Sequence, residues 1–152
     1  MPTDVLHCAC AIRGRPPRPL SPTSVEARRF LRGAERRGHK LYVVKDGKKF
    51  CYIGRTKQAL SARMKQGFYG KGKRRYLYLW RHLPEADVLV WNAGKRWWRE
   101  IETIEAELVF SVRRDCDRWP EHQVEIHFHN PGAGQSDSAR AQAARLYAEM
   151  VK

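Results

Sequence analysis

No apolar run in this 152-residue chain approaches the roughly 20 residues that a helix needs to cross a bilayer. The opening residues, Met1 to Cys8, include Asp4 and no apolar stretch of secretory-leader length, so the expectation is a soluble, cytoplasmic protein without membrane contact. Cysteine is scarce, with four in all: Cys8 and Cys10 stand one residue apart, and Cys51 and Cys116 are isolated. No Cys-x2-Cys pair recurs, which gives no support to a zinc ribbon or finger. Free thiols of a reducing compartment are expected, with His7, Cys8 and Cys10 offering at most a stray metal contact. There is no internal repeat. Acidic residues are also few, 16 Asp and Glu against 30 Lys and Arg, which leaves a net charge of +14. An excess of that size points to a polyanionic partner, nucleic acid first. Against these shortages stand five Trp, six Tyr and five Phe, with 42% hydrophobic residues overall. That composition supports one folded domain with a real core and argues against wholesale disorder.

Residues 11 to 22 carry four prolines among three arginines. Such a segment propagates neither a helix nor a central strand, so residues 1–22 read as a flexible basic arm. Thr23 and Glu26 form a capping box, followed by Ala27, Phe30, Leu31 and Ala34 at helical spacing and a stop at Gly38. Arg28, Arg29, Arg32, Arg36 and Arg37 lie on the outer face of that helix. Leu41–Val44 and Phe50–Ile53 are β-rich runs around Asp46-Gly47, a hairpin signal. Residues 56–66 read as a helix, Val88–Trp91 as a third strand, and about 96–113 as a longer helix. An extended piece follows at 123–129, then a glycine break at 132–134 and a last helix over 138–151. The expected fold is a small α/β domain, 23–152, built on a three-stranded, mostly antiparallel sheet flanked by helices.

Three constellations carry chemistry. Gly67-Phe-Tyr-Gly-Lys-Gly72-Lys73 imitates the opening of a P-loop, but Arg74 stands where a Ser or Thr would hold magnesium, and the segment follows a helix. It reads better as a loop gripping a nucleic-acid backbone through Lys71, Lys73, Arg74 and Arg75, with Phe68, Tyr69 and Tyr76 able to stack on bases. On the long helix, Trp97, Trp98, Ile101, Ile104, Leu108, Val109 and Val112 share one face, and Glu105 falls inside that apolar arc. An inward carboxylate needs a partner: either a structural salt bridge, or a metal or catalytic role in a cleft. Glu100 and Glu107 project away, with Glu102 at the margin. Finally, Tyr42 and Tyr52 lie on adjoining strands, and Gly54 after Tyr52 would let a phosphate approach the backbone.

Leu41-Tyr42 and Tyr52-Ile53-Gly54, separated by nine residues and followed by Arg55-Thr56, Leu60 and Arg63, resemble the GIY-YIG nuclease superfamily. Glu105-x-x-Leu108-Val109 is similar to the family's downstream glutamate motif, and Asn130 stands near the place of its terminal asparagine. The resemblance spans about residues 40–130. It departs at the first tripeptide, where Lys40-Leu41-Tyr42 replaces Gly-Ile-Tyr, and one turn after Arg63, where Gly67 occupies the position at which some members carry His.

The resemblance implies a metal-dependent endonuclease hydrolysing phosphodiester bonds in DNA, with DNA ranked ahead of RNA as partner. It implies one Mg2+ or Mn2+ held by Glu105, Tyr42 as the water-activating group, and Tyr52 orienting water or phosphate. Arg55 and Arg63 would neutralise transition-state charge, and Asn130 would hold the site together from behind. The alternative is a degenerate family member that binds nucleic acid without cutting it. No zinc finger or helix-turn-helix is evident, which leaves specificity absent, structure-selective or supplied by a partner protein. Joint action of the tyrosines sets a condition on register. A strict two-residue Asp46-Gly47 turn would put them on opposite sheet faces, so an odd-length loop or a bulge near Gly47 is expected.

Overall fold

The computed structural model describes residues 11–13, 37–69, 79–83, 85–94, 98–127 and 132–152. Four strands form one antiparallel sheet: β1 (Ala11–Arg13), β2 (His39–Asp46), β3 (Lys49–Thr56) and β4 (Glu85–Gly94), in the spatial order β1-β4-β2-β3. Among the described residues three helices accompany them: α1 (Leu60–Tyr69), α2 (Trp98–Cys116) and α3 (Ala133–Met150), with a 3-10 turn at Leu79–His82. The expected three-stranded sheet is present as β4-β2-β3. The addition is β1, drawn from the segment read as a flexible arm. Proline excludes a central strand, but Ala11–Arg13 precede the prolines and pair only along the outer side of β4. The arginine-rich helix expected over 23–38 lies outside the described residues, except for Arg37 and Gly38.

Alternation along the strands builds two cores. Tyr42, Val44, Val88 and Val90 face Leu60 and Met64 of α1 and Trp80 of the 3-10 turn. Leu41, Val43, Ile53, Trp91 and Ala93 face the other way, onto α2 and α3. From α2 come Ile101, Ile104, Leu108, Val109 and Val112, the same stripe that helical periodicity picks out in the sequence. From α3 come Ala139, Ala143, Leu146 and Met150. Trp91 donates its indole N–H to Glu149 at 2.8 Å, and the Lys45 ammonium reaches the Met150 carbonyl at 2.8 Å, so the end of α3 is pinned to the sheet.

Several boundaries differ from expectation, and α1 runs on to Tyr69, so Gly67, Phe68 and Tyr69 belong to a helix and not to the loop they were read as opening. The last helix starts at Ala133, and Gly134 is its second residue; glycine costs a helix about 1 kcal/mol but does not break it. The helix read from residue 56 starts at Leu60, because Lys57 and Gln58 are held in bends. Thr56 Oγ1 accepts the Gln58 N–H at 3.1 Å, and the buried Lys40 ammonium takes the Gln58 and Gly38 carbonyls at 3.0 and 3.1 Å. The hairpin turn is Gly47–Lys48, one residue later than read, with Gly47 at φ 57°. The extended piece from 123 to 127 pairs as no strand. Just before it, Glu121 N–H binds the Phe50 carbonyl at 3.0 Å and His122 N–H the Cys51 carbonyl at 2.7 Å, so residues 120–127 form a strap along β3.

The register condition is met. Asp46 pairs with Lys49 and Lys45 with Phe50, but Val44 pairs with Tyr52 and Tyr42 with Gly54. Cys51 is the extra residue of a β-bulge, which brings Tyr42 and Tyr52 to one face with ring centroids 5.9 Å apart. The core of α2 generates a stability prediction. Leu108→Ala, at a fully buried position, should lower the unfolding free energy by about 2–5 kcal/mol. Phe110→Ala, on the exposed side of the same helix, should cost under about 1 kcal/mol, both read from urea midpoints at constant m.

Candidate active site

β3 is an edge strand, and past the bulge its side chains serve both sheet faces at once. Tyr52 points toward α1, while Arg55, three residues on, points toward α2. Between them, at the end of the strand, opens a cleft of about 600 Å³. Tyr52, Arg55 and Arg63 line it together with Glu105 and Trp98 of α2, the bends at 56–58, and Val124, Glu125 and His127 of the strap. Four of the five residues expected to be catalytic therefore converge there from three elements.

Arg55 organises the α2 side. Its guanidinium donates through Nη1 to Glu105 Oε2 and through Nη2 to Glu102 Oε1, the latter at 2.5 Å. Its Cζ lies 4.8 Å from the Trp98 ring centroid, and Lys57 Nζ lies 4.7 Å from the same ring. The Arg55 Nε is buried and has no hydrogen-bond partner among the described residues. Glu105 is only 8% exposed. Burial pushes its carboxyl upward from its ordinary value; the Arg55 guanidinium, and more weakly His127, draw it back down without cancelling the effect. The inward placement read from helical periodicity is thus real, and in this structure the partner of Glu105 is an arginine.

The tyrosines divide differently from expectation. Tyr42, read as the water-activating group, is fully buried and does not line the cleft. Its hydroxyl accepts the Arg63 Nε–H at 3.1 Å, so it stands behind the wall as a brace for Arg63. Tyr52 is the half-buried member that reaches the cleft. Gly54 is also reassigned. It is buried, and a Cβ built on it would meet Tyr52 Cε1 at 2.6 Å and the Tyr42 Cζ and hydroxyl at 2.8 Å. The glycine makes room for two tyrosine rings, which cover that side of its backbone. Glu107 turns from the cleft toward α3, where Arg140 Nε donates to it at 3.3 Å. Lys71, Lys73, Arg74, Arg75 and Asn130 lie outside the described residues.

Sequence reasoning missed Trp98 as a platform for two cations, Glu102 as the second carboxylate on Arg55, and the strap as a cleft wall. The Trp97-Trp98 pair at the start of the long helix was the one local signal. The strap has none, because its anchor on β3, Ile53 N–H to Gln123 Oε1 at 3.0 Å, spans 70 residues.

The donor set can be tested against the divalent ion that the family resemblance implies. Such hard ions take oxygen ligands, often only one or two of them from protein carboxylates, with water and phosphate completing the shell. Glu105 offers a carboxylate on the cleft wall, and Glu102 neighbours it across the shared guanidinium. The residues fit one ion on that condition, that it shares or displaces the Arg55 contact. Comparison with family models, with curated proteins and with solved structures finds no match to this chain.

The crowding above Gly54 leads to a prediction. Gly54→Ala should destabilise the fold by about 1–3 kcal/mol, the usual cost of overpacking, because one of the two tyrosine rings must move. Near-ultraviolet circular dichroism should report the altered tyrosine environment, while Gly132→Ala, with open space around it, should leave that spectrum unchanged.

Proposed function

We propose that this chain is a metal-dependent endonuclease that hydrolyses phosphodiester bonds in DNA. The observation that carries the reading is the convergence of Tyr52, Arg55, Arg63 and Glu105 on one open cleft, in a chain of net charge +14. A tyrosine, two arginines and a buried carboxylate supply, in one place, a group to hold a water, cations for phosphate oxygens, and an anchor for a divalent ion.

In this scheme Mg2+ or Mn2+ on Glu105 would polarise the scissile phosphate and stabilise its developing charge. The Tyr52 hydroxyl orients the attacking water at the cleft mouth. Arg63 takes a phosphate oxygen, its fork held in place by the bond from Nε to Tyr42. Arg55 sits over the Trp98 ring and can pass from Glu105 to a phosphate oxygen as substrate and ion arrive.

One observation favours a second reading, a module that binds nucleic acid without cutting it. Glu105 is already neutralised by Arg55, and an ion would have to compete with that contact. Nicking of supercoiled plasmid separates the two: wild-type cleavage dependent on Mg2+ or Mn2+ supports the nuclease, and binding without nicking in either metal supports the module.

Within the nuclease reading, Glu105→Gln should lower the nicking rate by roughly 100-fold or more while leaving DNA affinity unchanged or slightly tighter. Glu107→Gln should cut at the wild-type rate, since its side chain faces α3. A Glu105→Gln protein that cuts normally would overturn the assignment. Binding should also be steeply salt-dependent, falling by roughly 1,000-fold between about 50 and 200 mM salt if some six phosphates are neutralised. Fluorescence anisotropy of a labelled duplex checks this.

A further inference from the structure

We propose that Cys51, Glu121 and His122 form a second metal site, one for a thiophilic divalent ion of the zinc type. Cys51 Sγ, a carboxylate oxygen of Glu121 and a ring nitrogen of His122 all lie within 4.8 Å of one another. Tetrahedral zinc binds sulfur, nitrogen and oxygen at about 2.0–2.3 Å, so small side-chain rotations suffice to close the three groups on one ion.

The backbone explains why they meet. Cys51 is the bulge residue of β3, and the strap docks at that point, with Glu121 N–H on the Phe50 carbonyl and His122 N–H on the Cys51 carbonyl. A turn closed by Gln123 N–H on the Pro120 carbonyl at 3.0 Å places Glu121 and His122 at its two central positions. The site is thus assembled from segments 70 residues apart, and no ligand spacing in the sequence announces it. Glu121 is exposed and His122 half-buried, so an ion can enter from solvent and meet the sealed sulfur beneath.

Ligand chemistry selects the metal. Magnesium and calcium want oxygen throughout, whereas one thiolate, one imidazole and one carboxylate suit zinc, with a fourth position left to water. Burial pushes the Cys51 thiol up to about 11, so without metal the sulfur keeps its proton. Binding forms the sulfur–metal bond and releases that proton to solvent. The strap continues from His122 to Val124, Glu125 and His127 on the cleft wall, so an ion at its root clamps that wall to β3. The inference does not depend on nuclease activity, because metal binding is measured without DNA.

The test uses the full chain carrying Cys8→Ser, Cys10→Ser and Cys116→Ser, in which Cys51 is the sole thiol. Titration with Co2+ should give one equivalent bound, a sulfur-to-cobalt charge-transfer band in the near ultraviolet, and displacement by Zn2+ but not by excess Mg2+. In the same background, Glu121→Gln and His122→Ala should each weaken binding by at least the roughly tenfold that even outer partners of a metal site are worth. Added Zn2+ should raise the melting temperature and a chelator should reverse the rise. Absence of the charge-transfer band with Cys51 intact, or unchanged affinity in both partner variants, would overturn the proposal. Cys51→Ser should abolish the band; the partner variants alter side chains at or near the surface and decide the matter even if Cys51→Ser does not fold.

Discussion

One extra residue in β3 determines what every side chain beyond it can reach. Side chains alternate strictly along a strand, so the bulge at Cys51 exchanges the two faces for the whole stretch from Tyr52 to Thr56. With it, Tyr52 and Gly54 lie beside Tyr42, and Ile53 and Arg55 lie against α2. Without it, Arg55 would turn toward α1, away from Glu105, and Ile53 would leave the core that packs on α2. The hairpin turn could not restore this, because Gly47–Lys48 is a regular two-residue connection. The shared cleft, the stack of tyrosines and the Arg55–Glu105 pair all follow from that single insertion.

Arg55 is the second point on which the site depends. A guanidinium removed from water needs its donors satisfied; here one carboxylate takes a bond from each Nη, an indole ring lies beneath the charge, and Nε has no hydrogen-bond partner among the described residues. The same cation lowers the cost of burying Glu105, which desolvation alone would make severe. The two groups thus preserve each other, and a divalent ion on Glu105 must share or displace the Arg55 contact. On the opposite wall the arrangement is simpler. Arg63 is set by a neutral phenol, and Tyr42 is set by the glycine beneath its ring.

Much of this was legible in the sequence because it is local. The hairpin, β4, the apolar face of α2 and the inward turn of Glu105 all come from periodicity within a dozen or so residues, where period and burial coincide. The need for an odd-length loop or a bulge near Gly47 was also legible, as a parity argument from Tyr42 and Tyr52, although the choice of a bulge and its seat at Cys51 were not. What could not be read is what contacts over long separations decide. The roles of Tyr42 and Gly54 depend on which ring covers which backbone, and the α1 boundary depends on Lys40 reaching across from β2. The strap wall depends on a hydrogen bond from the Ile53 amide to the Gln123 side-chain oxygen that no pattern encodes. The β1 strand was missed for a different reason: three residues beside a proline-rich run carry too little periodicity to signal a strand.

The strap along β3 has a consequence for how the protein behaves in a crowd. A sheet's edge strand displays unpaired amides and carbonyls that can template pairing with another chain. Here the Phe50 and Cys51 carbonyls and the Ile53 amide are already taken by Glu121, His122 and Gln123. Under the proposed function, copies of so basic a chain gathered along a nucleic acid would lie at high local concentration, where edge-to-edge growth is fastest. With that stretch of β3 covered by its own chain, neighbours can be packed side by side on a common scaffold without its hydrogen-bonding groups seeding a shared sheet.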